Sequence, residues 1–273
     1  MKLKYFGTAA AEGIPALFCD CPVCRYAQKV KGKEIRTRAQ ALLDDKILLD
    51  FGPDTLEHFI KYDVKSQDLK YVVITHSHCD HYVFDELGYR RPGFAAGRKD
   101  HVLTVYATKP AYDEIKTLED RWPDIYKAVE VRENEPFFIE DYEFFPVKAN
   151  HDENAGSVIY FIDRNGKSML YAHDTGVFTD GAKARAEALG KPLDYVSLDC
   201  TGALLSDWRR GHLSLDTAVE TAEYLKSVGA VSEKTKLVIS HFSHNGKGTH
   251  EDLCKAAKEY GIEVAFDGME VEF

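Results

Sequence analysis

Val72-Val73-Ile74-Thr75-His76-Ser77-His78-Cys79-Asp80-His81, residues 72–81, passes from an apolar run directly into a cluster of histidine and aspartate. The apolar residues predict a short buried strand. The turn after it sets two imidazoles two residues apart and adds a carboxylate and a third imidazole at once. Neutral imidazole and carboxylate are ligands for zinc, manganese and iron. Such density directly after a buried strand points to a metal centre at a sheet edge rather than to a polar loop with chance histidines.

On either side of this stretch, short β-rich runs recur at 3–6, 47–50, 71–75, 102–107, 144–149, 158–162, 169–172, 195–199, 237–240 and 264–266, each bounded by turn-forming residues. Helices are predicted over 53–62, opened by a proline suited to a first turn, and over 180–189, 214–228 and 250–260, each followed by glycine. Hairpins are expected to dominate the first half and strand–helix alternation the second, so packed sheets flanked by helices fit better than a doubly wound fold. Asp50, the His76 cluster, His151, Asp174 and His241 each fall at or just past the C-terminal end of a predicted strand. Side chains placed there converge on one rim. The segment 86–100, with Arg90, Arg91, Pro92, Gly93 and Gly97, is the least regular and reads as an active-site lid or a surface loop.

Neither a long linker nor an internal repeat divides the 273 residues, so one domain over 1–273 is expected. The net charge of -10 disfavours a partner gripped through its phosphates, such as a long nucleic acid. The first residues form no secretory signal, and no apolar run approaches the roughly 20 residues a membrane helix needs. A cytoplasmic protein is expected, with no membrane partner and with a homodimer left open.

Cys19-Asp20-Cys21-Pro22-Val23-Cys24 packs three thiols too closely for unstrained pairing and suits a metal; a redox role is the rival. A structural zinc takes four ligands, and His244, three residues after His241, is the best candidate for the fourth.

His76, His78, Asp80 and His81 match the whole His-x-His-x-Asp-His signature of the metallo-β-lactamase superfamily, which the chain resembles from Gly7-Thr8 to Phe266-Asp267-Gly268. The resemblance implies an α/β fold, an αββα sandwich of two packed mixed sheets flanked by helices. It implies that His76, His78 and His151 hold one metal, that Asp80, His81 and His241 hold a second, and that Asp174 bridges them. Taken singly, His151 and Asp174 read better as turn residues; it is with the first cluster that they become ligands from separate strand ends. With its cysteine triplet and His241-x-x-His244, the chain is similar to the PhnP-type phosphodiesterases, accessory enzymes of carbon-phosphorus lyase pathways. Pyrroloquinoline quinone biosynthesis B proteins share a comparable cysteine cluster, but the intact signature favours the catalytic branch.

By that resemblance His212, in Arg209-Arg210-Gly211-His212, protonates the leaving group. An imidazole of pKa about 6.5 suits this work; on its own the residue reads as a helix cap or a surface residue. The activity implied is hydrolysis of small, cyclic phosphodiesters such as 5-phosphoribosyl 1,2-cyclic phosphate. The implied attack is by a hydroxide bridging two divalent metals, manganese or zinc with iron also admitted, and Asp80 orients it. Arg90, Arg91, Arg209 and Arg210 are candidates for gripping a terminal phosphate. The rivals are an RNA 3'-processing nuclease of the same superfamily, which would want a basic docking arm, and a non-catalytic metal or cofactor-pathway binding protein.

Overall fold

The computed structural model describes every residue except Arg98. Its strands run in chain order as β1 (Lys2–Gly7), β2 (Gln40–Leu43), β3 (Ile47–Leu49), β4 (Tyr71–Val73), β5 (Leu103–Thr108), β6 (Tyr126–Val131), β7 (Phe137–Ile139), β8 (Tyr142–Lys148), β9 (Val158–Arg164), β10 (Lys167–Ala172), β11 (Tyr195–Asp199), β12 (Lys236–Ser240), β13 (Ile262–Val264) and β14 (Glu270–Glu272). They form two seven-stranded sheets, ordered β14-β1-β2-β3-β4-β5-β6 and β13-β12-β11-β10-β9-β8-β7.

The residue pattern explains why these sheets stack. In β9, Val158, Tyr160 and Ile162 join the core between the sheets, whereas Ile159 and Phe161 join the layer beneath the helices. In β10, Met169 and Tyr171 face the other sheet and Leu170 and Ala172 face the helices. A strand apolar on both faces needs cover on both. Helix Leu215–Ser227 gives Ala218, Ala222 and Leu225 to that layer. Ala111, Ile115 and Leu118 of helix Lys109–Arg121 pack on Leu48, Val72 and Val105 behind the first sheet. The αββα sandwich follows.

The expected division into a hairpin half and an alternating half is corrected. Each sheet contains both patterns: β1, β2 and β3 pair antiparallel and β3, β4, β5 and β6 parallel, while β7, β8, β9 and β10 pair antiparallel and β10, β11, β12 and β13 parallel. Parallel neighbours need helical crossovers, and helices Thr55–Lys61 and Lys109–Arg121 supply two of them in the first half.

The segment 86–100 starts in helix Phe84–Leu87 and the short turn Gly88–Arg90. Glu86, Tyr89 and Arg90 line a cavity of about 530 Å³ with Leu56 and Phe59 of helix Thr55–Lys61, and no rim histidine lines it. Within this segment Arg98 lies outside the described residues. Among the described residues no helix is long and apolar enough to cross a membrane.

Candidate metal centre

Six strands bring their C-terminal ends to one rim. Asp50 follows β3, residues 75–81 follow β4, His151 follows β8, Asp174 follows β10 and His241 follows β12, while Asp199 ends β11. At Asp50, Asp174 and His241 the backbone turns left-handed, with φ of 67°, 50° and 65°. Few residues other than glycine adopt that conformation, although aspartate and histidine tolerate it better than most. The reversal breaks the strand's pleat and swings each side chain into the rim.

The ligand-type atoms gather in two groups. His76 Nε2 lies 3.0 Å from His78 Nδ1, and His151 Nε2 lies 3.2 Å from the same atom. Nitrogens bonded to one tetrahedral zinc at about 2.0 Å are roughly 3.3 Å apart. In the second group Asp174 Oδ2 stands 2.9 Å from His81 Nε2 and 3.0 Å from His241 Nε2, and Asp80 Oδ2 stands 3.1 Å from His81 Nε2. Asp174 Oδ1 turns to the first group, 3.7 Å from His151 Nε2. One carboxylate thus faces both clusters.

Cations fit here because three buried polar atoms, His81 Nε2, His241 Nε2 and Asp174 Oδ2, have no hydrogen-bond partner despite these short contacts. Such orphans are rare in a folded interior. Without a cation the group balances its own charge. Burial opposes ionisation of Asp174, but His241 and His81 overcome it and hold the carboxylate well below its ordinary range. Burial likewise opposes the charged form of His241, yet Asp174 raises it to about 10.

Each ring is held from behind, which fixes the nitrogen it presents. His81 Nδ1 lies 2.7 Å from Asp50 Oδ2, and Asp50 also accepts from the Thr75 amide at 2.7 Å. His76 Nδ1 meets Thr75 Oγ1 at 3.0 Å. His151 Nδ1 donates to the Gly211 carbonyl at 3.0 Å, and His241 Nδ1 meets Thr201 Oγ1 at 2.8 Å.

His212 lies beside the rim, its ring centroid 4.9 Å from that of His151 and 5.7 Å from that of His241. Its Nδ1 is 3.1 Å from Asp199 Oδ2. Burial works against a proton on this imidazole, but the Asp199 carboxylate outweighs it, and the pKa rises above its ordinary value. Sequence reasoning passed over Asp199, Thr201 and Thr75. The available signal was a carboxylate ending an apolar strand, the same pattern that Asp50 shows after β3.

The cysteines form a separate cluster. Cys21 caps helix Pro22–Val30, accepting from the Cys24 amide, and Pro22 starts the first turn. That brings the sulfurs of Cys21 and Cys24 to one helix end. Cys19 Sγ and Cys21 Sγ lie 3.5 and 3.4 Å from His244 Nδ1, close to the roughly 3.5 Å separation of sulfur and nitrogen on one tetrahedral zinc. All four ligand atoms fall within 4.8 Å of one another. Burial disfavours the Cys21 thiolate, but the Cys24 amide and His244 bring its pKa down to about 6, whereas burial pushes Cys24 up to about 12.

Of the four arginines, Arg90 donates to the His101 carbonyl at 2.8 Å, Arg91 lies over the Phe94 ring at 4.7 Å, and Arg209 is held by Asp207 and Glu220.

Residues 45–242 match the family model for the beta-lactamase superfamily domain. A coenzyme PQQ synthesis protein B from Acinetobacter baumannii is 23% identical, covering 100% of both chains. Among solved structures, a diphosphatase from the PhnP family aligns with a TM-score of 0.74 at 26% identity, covering 100% of this chain and 96% of its own. Zinc-bound PqqB from Methylobacterium extorquens aligns with a TM-score of 0.77 at 19% identity over 100% of both, a likeness of fold.

Proposed function

We propose that this chain, which belongs to the beta-lactamase superfamily of metal-dependent hydrolases, hydrolyses small phosphodiesters, with a cyclic ribosyl phosphate as the physiological class. His76, His78 and His151 would hold one divalent cation, Asp80, His81 and His241 the other, with Asp174 between them. Two such cations, manganese or zinc, supply Lewis acidity and neutralise charge building on a phosphoryl group. A structural zinc would sit at Cys19, Cys21, Cys24 and His244.

The observation that carries the reading is the Asp199–His212 pair. A phosphodiester with an alkoxide leaving group needs a proton at the departing oxygen, and a positioned acid contributes on the order of 100-fold to 10,000-fold. With Nδ1 turned to Asp199, His212 keeps Nε2 as the atom that gives the proton. Asp80, facing His81 in the same recess, orients the attacking water.

Turnover of bis(p-nitrophenyl) phosphate by the metal-loaded protein, abolished by a chelator, tests this reading. No diester turnover with both cations bound sinks it. The full-length likeness to coenzyme PQQ synthesis protein B favours a second reading, a cofactor-pathway protein that binds without hydrolysing, and the same assay separates the two.

A further inference from the structure

The cavity between helix Thr55–Lys61 and the segment 86–97 stands apart from the metal rim. Its volume of about 530 Å³ is that of a small-molecule site, and its walls have the usual make-up of one, mostly apolar with a few polar groups. Leu56, Leu87 and Leu103 supply aliphatic wall, and Phe51, Phe59 and Tyr89 add three rings. Leu56 and Tyr89 remain 68% and 50% exposed, so apolar surface is left uncovered here.

One wall is fixed by the metal loop. The Phe51 amide donates to the His81 carbonyl and the Phe51 carbonyl accepts from the Val83 amide, both at 2.8 Å. Thr55 Oγ1 donates to the Gly52 carbonyl at 2.6 Å, and a methyl group on Gly52 would fall 2.1 Å from the Asp80 carbonyl oxygen. The cavity is thus built against the back of the loop that carries Asp80 and His81.

Among the described residues its charged lining is Glu86 and Arg90. Arg90 is engaged, its guanidinium donating to the His101 carbonyl at 2.8 Å. The Glu86 carboxylate takes no hydrogen bond or ion pair among the described residues, and burial, helped by the charge of Asp54, raises its pKa above the ordinary value. Aromatic faces attract an organic ammonium group, a carboxylate without a partner completes its recognition, and the net charge of -10 draws cations toward the chain.

We propose that this cavity is a second binding site, which takes an apolar organic cation with its ring or chain among the leucines and phenylalanines and its ammonium group at Glu86. The site needs no metal and stands or falls independently of the phosphodiesterase reading. The test titrates the metal-loaded protein with phenylpropyl trimethylammonium and with phenylpropanol, with binding read by calorimetry; a quaternary ammonium cannot ligate a rim metal. The wild type should bind the cation about tenfold more tightly than the alcohol, the weight of a partly desolvated cation–π contact. Glu86→Gln should erase that preference and leave the alcohol's affinity as it was. Leu56→Lys, at an exposed helix position, should exclude the cation by placing a competing ammonium in the same cavity. Failure of the wild type to bind the cation overturns the assignment, and so does cation binding that Glu86→Gln leaves unchanged, the result that diffuse attraction to an acidic chain would give.

Discussion

Replacing Asp199 by asparagine probes the proton donor without touching it. Asp199 is completely buried. Its Oδ1 accepts from the amides of Thr201 and Leu213 at 3.0 and 2.9 Å. Its Oδ2 accepts from the Asp174 amide at 3.0 Å and faces His212 Nδ1. An amide of the same shape has one acceptor, so whichever way it turns, its NH2 confronts backbone donors. That mismatch should cost about 1–3 kcal/mol of stability. The charge is lost as well. With Asp199 present, its attraction exceeds the effect of burial and raises the His212 pKa; without it, burial acts unopposed by this partner and the pKa drops. A general acid must be protonated to act, so the alkaline limb of the pH–rate profile should move to lower pH. Near neutral pH an alkyl phosphodiester should lose about 100-fold in rate, and a nitrophenyl diester, whose leaving group scarcely needs a proton, less than about tenfold. Profiles for both substrates would be measured alongside metal content, because Asp199 Oδ2 also lies 3.4 Å from His241 Nδ1. Equal losses on the two substrates with both cations retained, or an unmoved alkaline limb, would refute the reasoning.

His212→Ala should show the same leaving-group dependence more strongly, about 100-fold or more on an alkyl diester, with metal content unchanged; equal losses on both substrates would make His212 a positioning residue. Cys21→Ser should lower stability by about 2 kcal/mol or more, a melting shift of roughly 4–8 °C, whereas Asp80→Ala should mainly abolish turnover, and melting curves with kinetics on both variants check the contrast. Because Asp174 holds His241 up to about 10, loading metal near neutral pH should release protons, which calorimetry in buffers of different ionisation enthalpy will count; no release would contradict the ligand set. His58 is buried neutral with its pKa lowered to about 3, below its unfolded value, so its contribution is intact above about pH 6.5 and is lost as pH falls toward 3. Between about pH 7 and 5 His58→Gln should therefore lose about 2 kcal/mol less than wild type in urea unfolding.

The layered fold was legible through the resemblance carried by His76, His78, Asp80 and His81, not through the expected split into a hairpin half and an alternating half, and the rim was legible because five ligand-type positions each stand at a strand's end. What escaped had physical reasons. Strand β2 begins with Gln40, whose buried amide bonds Thr55 and the Asp50 carbonyl, so it lacks an apolar start. Strand β6 exposes Lys127 beside half-buried Ala128 and Glu130 and gives no alternation. Helix Pro22–Val30 was hidden by its own cysteines, which also serve as its cap. Asp199 ends a strand of ordinary pattern, and only the arrival of His212, thirteen residues later, shows what it holds.

The left-handed turns at Asp50, Asp174 and His241 reach beyond the geometry of the rim. Each costs about 1 kcal/mol relative to a relaxed backbone, together about 3 kcal/mol in a protein whose net stability is on the order of 5–15 kcal/mol. The remainder of the sandwich sustains that load only while turnover is selected. In a lineage bred for thermal resistance alone, with no demand on hydrolysis, Asp174 and His241 should be among the first to drift toward glycine, at ease in that conformation, whereas Asp50 should stay, because its buried carboxylate pairs His81 and the Thr75 amide.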